Sequence, residues 1–227
     1  MMQRRLALNA VLGLALSLSF VLPSCVTEAA DFEKWEKEIT AFEQADRSSP
    51  PRKGGLLFIG SSTIRLWKTL AQDFPNQSVI NRGFGGSQIA DSTHFSERII
   101  FPYQPRMILL RAGGNDIHAG KSPELVFSDF RAFVIKVREK LPDVEIAYIA
   151  LSPSIARWNE KEKGEALNRM IQEYSREVPG LKYIDSSSIS LGSDGKPRPE
   201  LFVADKLHFS PEGYKLLAAS VGPHLPK

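Results

Sequence analysis

Cysteine is almost missing from this chain: Cys25 is the only one in 227 residues. The domain that follows therefore has no disulfide framework and no thiolate metal site. A strong charge of one sign is missing too. The formal net charge is +3, with no dense Lys/Arg stripe, which argues against nucleic acid as the main partner. Internal repeats and low-complexity tracts are absent. So is the phosphate-cradling G-x-x-x-x-G-K-[ST], and no G-x-S-x-G elbow of the ordinary α/β-hydrolase type occurs. The stretch "GFGG" follows an apolar run, but Gln88 stands where a dinucleotide fingerprint needs its last glycine, which removes nucleotide binding.

A long unbroken hydrophobic run is lacking as well. Arg4 and Arg5 precede "LALNAVLGLALSLSFVL", which Asn9, Gly13 and small residues interrupt. This pattern reads as a secretory signal peptide over residues 1–30 rather than a membrane span, which needs about 20 apolar residues. The expected location is periplasmic or extracellular. "LPSC" resembles a bacterial lipobox, in which Cys25 would be lipidated and anchor the protein to a membrane. Cleavage within "VTEAAD" is the alternative and would discard the cysteine.

Beyond the leader, hydrophobic residues at 42% and charged residues at 24% fit a globular domain with a core of its own. Residues 31–50 open with "FEKWEKEITAFEQAD", where Phe32, Trp35, Ile39 and Phe42 form one apolar stripe of an amphipathic helix. "RSSPPRKGG" then breaks the pattern as a linker. From residue 51 to 227, apolar runs alternate with helical stretches. The runs are 56–60, 78–81, 107–113, 145–151 and 182–185; the helices are 63–72, 88–98, 122–141, 159–178 and 211–221. Ser122-Pro123-Glu124 and Ser210-Pro211-Glu212 each place serine at an N-cap and proline at the first helical position. Near-continuous apolar strands separated by helices predict a parallel sheet covered on both faces, an α/β domain.

Ligands of such sheets bind beyond the carboxyl ends of the strands, so the residues following each strand matter most. They read Gly60-Ser61-Ser62, "RGFGGS" and "GGNDIH", with "DKLHFS" before the last helix. Asp205 three residues before His208 can accept from the imidazole Nδ1–H and leave Nε2 free as a base. A serine on a strand-to-helix turn is placed as a nucleophile, and the glycine pair and Asn115 offer donors for an oxyanion. Read singly, each of these features also fits plain turn geometry.

Together and in order, "FIGSST", "NRGFGGS", "AGGND" and "DKLHFS" resemble the four signature blocks of the SGNH, or GDSL-type, hydrolase family over about residues 57–210. The resemblance implies a three-layer α/β/α sandwich with a flavodoxin-like five-stranded parallel sheet in order 2-1-3-4-5. It implies ester hydrolysis through an acyl-enzyme, without metal or cofactor. It assigns Ser62 as nucleophile, His208 as base and Asp205 as its acid, with the oxyanion held by the N–H groups of Ser62 and Gly86 and the Asn115 amide. The family's usual Gly-Asp-Ser reads Gly60-Ser61-Ser62 here. Arg111 and Trp158 are further candidates for substrate contact; an internal salt bridge for Arg111 and core packing for Trp158 are the alternatives. Asp116 is expected to brace its loop, and His94, His118 and His224 are assigned no role. The compact domain and the leader favour short acyl esters, such as acetyl groups on polysaccharide. A lipid or lysophospholipid ester, and a non-catalytic glycan-binding protein on the same scaffold, are the alternatives.

Overall fold

The computed structural model describes residues 32–227; the expected signal peptide over residues 1–30 and the expected lipidation site at Cys25 lie outside the described residues. Strands β1 (Leu56–Gly60), β2 (Val79–Gly83), β3 (Met107–Arg111), β4 (Glu145–Ile149) and β5 (Leu181–Ile184) form one sheet in the order β2-β1-β3-β4-β5. All neighbouring strands run parallel. The helices between them are α1 (Glu36–Ser48), α2 (Ser62–Arg65), α3 (Leu70–Asp73), α4 (Ile89–His94), α5 (Ser96–Ile99), α6 (Gly114–His118), α7 (Pro123–Lys140), α8 (Lys161–Glu177) and α9 (Pro211–Val221). The result is the three-layer α/β/α sandwich that the motif order implied.

The strands alternate between two hydrophobic cores, as a period of two requires. Leu57, Ile59, Ile108, Leu110, Ile146 and Tyr148 face one side, where Ile39, Ile89, Val126, Phe130, Phe133, Leu167 and Ile171 of α1, α4, α7 and α8 meet them. Leu56, Phe58, Met107, Leu109, Ala147 and Ile149 face the other, against Ile64, Leu70, Tyr214, Leu217 and Val221 of α2, α3 and α9. Burial on both faces explains why these strands read as unbroken apolar runs rather than as an alternation. Phe130 and Phe133 are fully buried, and truncating either to alanine costs on the order of 3–5 kcal/mol. Helix α1 joins the first core through the expected stripe: Ile39 is fully buried, and Phe32, Trp35 and Phe42 pack around it. Its far end is fixed by Asp46, which pairs with Arg82 and accepts from the Tyr103 hydroxyl at 2.6 Å.

Two expected helices are each broken in two. In 63–72 the break falls at Trp67, whose indole is buried. Its Nε1–H donates to Asp73 at 2.6 Å, and the Thr69 hydroxyl donates to the same carboxylate at 2.7 Å. In 88–98 the break falls at the buried Phe95, which ends α4 and begins α5. Strand β3 stops at Arg111, short of the expected residue 113, because Gly113 turns out of the sheet at φ +113° to cap α6.

Candidate active site

The four blocks converge at the carboxyl edge of β1, β2 and β3. Gly60 ends β1 at φ +135°, and a Cβ there would lie 2.1 Å from the Arg111 carbonyl oxygen. Only glycine permits this close approach; it lets the Ser61 N–H donate to that carbonyl at 3.1 Å. The chain then turns into α2 with Ser62 as the first helical residue. Ser62 N–H is thus among the amides at a helix start that lack an intrahelical acceptor. The Ser61 side chain makes no capping bond.

His208 arrives on a loop between Phe202 and Phe209, whose rings stack at 5.7 Å. Asp205 organises this loop. Its Oδ1 accepts from the N–H groups of Leu207 at 2.9 Å and His208 at 3.0 Å, while Oδ2 lies 2.6 Å from His208 Nδ1. The imidazole bond, then the two backbone bonds, hold the Asp205 carboxyl down at about 2. An ionised carboxylate only accepts, so Nδ1 carries the proton. Nε2 is then the acceptor, and it lies 2.9 Å from Ser62 Oγ. The last helix is tied to the same place: Ser210 caps it, accepting from Gly213 N–H at 3.3 Å, and Tyr214 donates to the Thr63 carbonyl at 2.8 Å.

In the third block, the Asn115 Nδ2 donates to the Ser87 carbonyl at 3.0 Å, which leaves its second N–H unspent. That bond joins the second block to the third. Gly86, next to Ser87, sits in this loop with its surface exposed and φ +85°. Asp116 is fully buried and braces the same region, accepting from the Ile89 N–H at 3.3 Å and from Lys121 at 3.2 Å. Burial pushes its carboxyl up.

A cavity of about 120 Å³ opens beside Ser62, Asn115 and His208. Ile117, Leu151, Pro153, Phe202, Leu207 and Phe209 give it apolar walls, and Arg157, Glu160, Lys161 and Glu165 line it with charge. Gly86 is not among its walls. Arg111 is, but among the described residues it pairs with no carboxylate. Its guanidinium is buried, donating to the Ala150 carbonyl, to Ser186 Oγ at 3.0 Å and to Ser152 Oγ at 3.2 Å, with the Phe209 ring 5.7 Å away. Burial lowers its pKa to about 10. Trp158 does not line the cavity: it is exposed, and Lys161 sits 5.4 Å above its ring. The wall expected of it is supplied by its neighbour, Arg157. His118 does have an acidic partner, Glu160, at 2.7 Å. The two are 42 residues apart, beyond any local spacing pattern. Among the described residues, no cluster of His, Cys, Asp or Glu is arranged to hold a metal ion.

The profile of the GDSL-like Lipase/Acylhydrolase family matches residues 60–216, and the chain belongs to that family. It is an ester-bond hydrolase by that membership. No curated protein matches the chain by sequence. Solved structures share the fold at low identity. A protein of Streptococcus pneumonia named for platelet activating factor has a TM-score of 0.76 at 20% identity, covering 86% of this chain and 94% of its own. A GDSL-like lipase from Bacteroides thetaiotaomicron has 0.66 at 16%, covering 86% and 96%. A catalytic mutant of Axe2, an acetylxylan esterase from Geobacillus stearothermophilus, has 0.59 at 15%, covering 74% and 93%.

Proposed function

We propose that this protein is an exported serine esterase that removes short acyl groups, foremost acetyl groups carried on carbohydrate. The observation that carries the reading is the hydrogen-bonded line from Asp205 through His208 to Ser62 Oγ at the mouth of a small cavity. Ser62 Oγ attacks the ester carbonyl as its proton passes to His208 Nε2. Asp205 holds the ring and stabilises the imidazolium. The negative charge on the carbonyl oxygen is met by the N–H groups of Ser62 and Gly86 and the second N–H of Asn115. Collapse of this intermediate transfers the proton from His208 to the departing alcohol and leaves an acyl-Ser62 ester. Water, activated by the same imidazole, then releases the carboxylic acid and regenerates the serine.

Cavity size supports the short acyl group. A space of about 120 Å³ is well below the roughly 300–1,000 Å³ of pockets that enclose drug-sized ligands. The acetylxylan esterase among the structural relatives is consistent with a sugar alcohol, and the leader-like first 30 residues support export. The test is hydrolysis of p-nitrophenyl esters from acetate to palmitate beside acetylated xylan. The reading predicts the highest kcat/KM at two to four carbons and release of acetate from xylan. An optimum at eight carbons or more overturns the acetyl assignment, and absence of Ser62 labelling by a fluorophosphonate overturns the esterase.

A further inference from the structure

We infer that Arg157 is a positioning residue for the oxyanion donor: its guanidinium fixes which way the Asn115 amide points and polarises it toward the developing negative charge. This rests on the esterase reading above. Arg157 Nη1 donates to the Asn115 Oδ1 at 3.1 Å and to the Gly114 carbonyl at 3.1 Å. One nitrogen with two hydrogens therefore holds both the backbone and the side chain of the third block.

The orientation is imposed from two directions. Asn115 Oδ1 faces a cationic donor, and Nδ2 faces the Ser87 carbonyl at 3.0 Å. Were the amide turned over, its NH2 would face the guanidinium and its oxygen would face a carbonyl oxygen, so both bonds would become repulsive contacts. A charged donor on an amide oxygen also draws electron density from its nitrogen, making the remaining N–H a stronger donor. An amide already held in place spends no free energy on reorienting as charge develops, which is the condition under which an oxyanion hole is effective.

Arg157 is itself held for this task. Its own N–H donates to Ser154 Oγ at 3.2 Å, and the preceding Ala156 N–H donates to the Lys206 carbonyl at 3.0 Å. Lys206 lies between Asp205 and His208 in the loop that carries the base. The segment bearing Arg157 is thus tied at one end to the base and at the other to the oxyanion donor, although no sequence block announces it. The guanidinium is half-buried and, among the described residues, hydrogen-bonds no carboxylate. Burial lowers its pKa, with the nearby Glu160 charge opposing the shift, and both of its side-chain hydrogen bonds go to the third block.

The experiment is a double-mutant cycle on p-nitrophenyl acetate, with wild-type turnover measured first as the separate test of the esterase reading. Arg157→Gln is expected to lower kcat by about 10–100-fold with KM within about twofold, a smaller loss than Asn115→Ala. The pair Arg157→Gln/Asn115→Ala is expected to be no slower than Asn115→Ala alone, because the first residue acts through the second. Arg157→Ala supplemented with millimolar guanidinium ion is expected to recover part of the lost kcat, a readout that a folding defect does not mimic. An active wild type combined with multiplicative losses in the pair overturns the inference. So does a rise in KM at unchanged kcat, which would make Arg157 a substrate ligand.

Discussion

One wall of the cavity is assembled from three of the four sequence blocks, the first, third and fourth; the other comes from residues 151–154, Arg157, Glu160 and the start of α8. The first wall holds Ser62, Asn115 and His208, groups whose chemistry depends on distances near 3 Å. They sit on strand ends and tight turns, where Gly60 lets the Arg111 backbone come close and Gly113 supplies the positive φ that caps α6. The second wall mixes Leu151 and Pro153 with Arg157, Glu160 and Lys161, and Arg157 reaches across to Asn115 of the first. The difference separates two tasks. Bond-making geometry is stored in rigid strand-end turns, whereas the volume open to the substrate is set by a connecting loop that can change without disturbing the sheet.

The sharpest break of that division is at Ser62. Ser62→Ala should reduce turnover of a small ester by on the order of 10⁵-fold or more, leaving only binding and oxyanion contributions. Ser61→Ala should retain most activity, since the Ser61 side chain caps nothing and its backbone bond to Arg111 survives the change. Equal losses in the two variants would show that the turn, not one hydroxyl, carries the effect. Asp205→Asn is next, with an expected loss of about 10⁴-fold in kcat because the amide no longer selects the Nδ1–H tautomer. The pH dependence follows from the same bond. With its folded pKa lowered to about 2 from an unfolded value near 4, Asp205 contributes stability that is present above roughly pH 4 and lost as pH falls toward 2. It is ionised throughout the neutral range and so holds the His208 ring through Nδ1 there.

Much of the fold and of the first wall was legible because both rest on local rules. Both-face burial makes strands such as 56–60 and 107–111 continuous apolar runs, and the turn residues after them come in short fixed blocks. Strand order was not legible from periodicity; it came with the family resemblance, because pairing is decided by contacts between segments far apart in the chain. The broken helices were missed because Trp67 and Phe95 are core residues whose burial outweighs helical continuity. Arg157 and the His118–Glu160 pair were missed for a similar reason. Their partners are 42 residues distant in each case, and nothing in "SPSIARWNEK" distinguishes an arginine facing an amide from one facing water. The only signal there was the aromatic beside it, which pointed to the wrong neighbour.

The second wall can be sharpened by narrowing it. Leu151→Trp adds bulk to the apolar side of the cavity without touching Ser62, His208 or Asn115. It should lower kcat/KM for butyrate relative to acetate by about tenfold, the scale of one or two methylenes in an apolar pocket. An equal loss on both esters would mean that Leu151 supports the catalytic geometry rather than the acyl volume. Trp158→Ala should do least of all. Its ring is exposed beneath Lys161 and away from the cavity, so kcat/KM for a small ester should stay within about twofold of wild type, as for other surface changes. The informative substrate is acetylated xylan, measured beside p-nitrophenyl acetate. If the ring touches a polymer that extends past the cavity, only the xylan rate falls, and the second wall then reaches beyond the cavity lining onto the surface. If the small ester falls instead, Trp158 is holding Arg157 in place through the backbone, and the loop is a support for the first wall rather than an independent one.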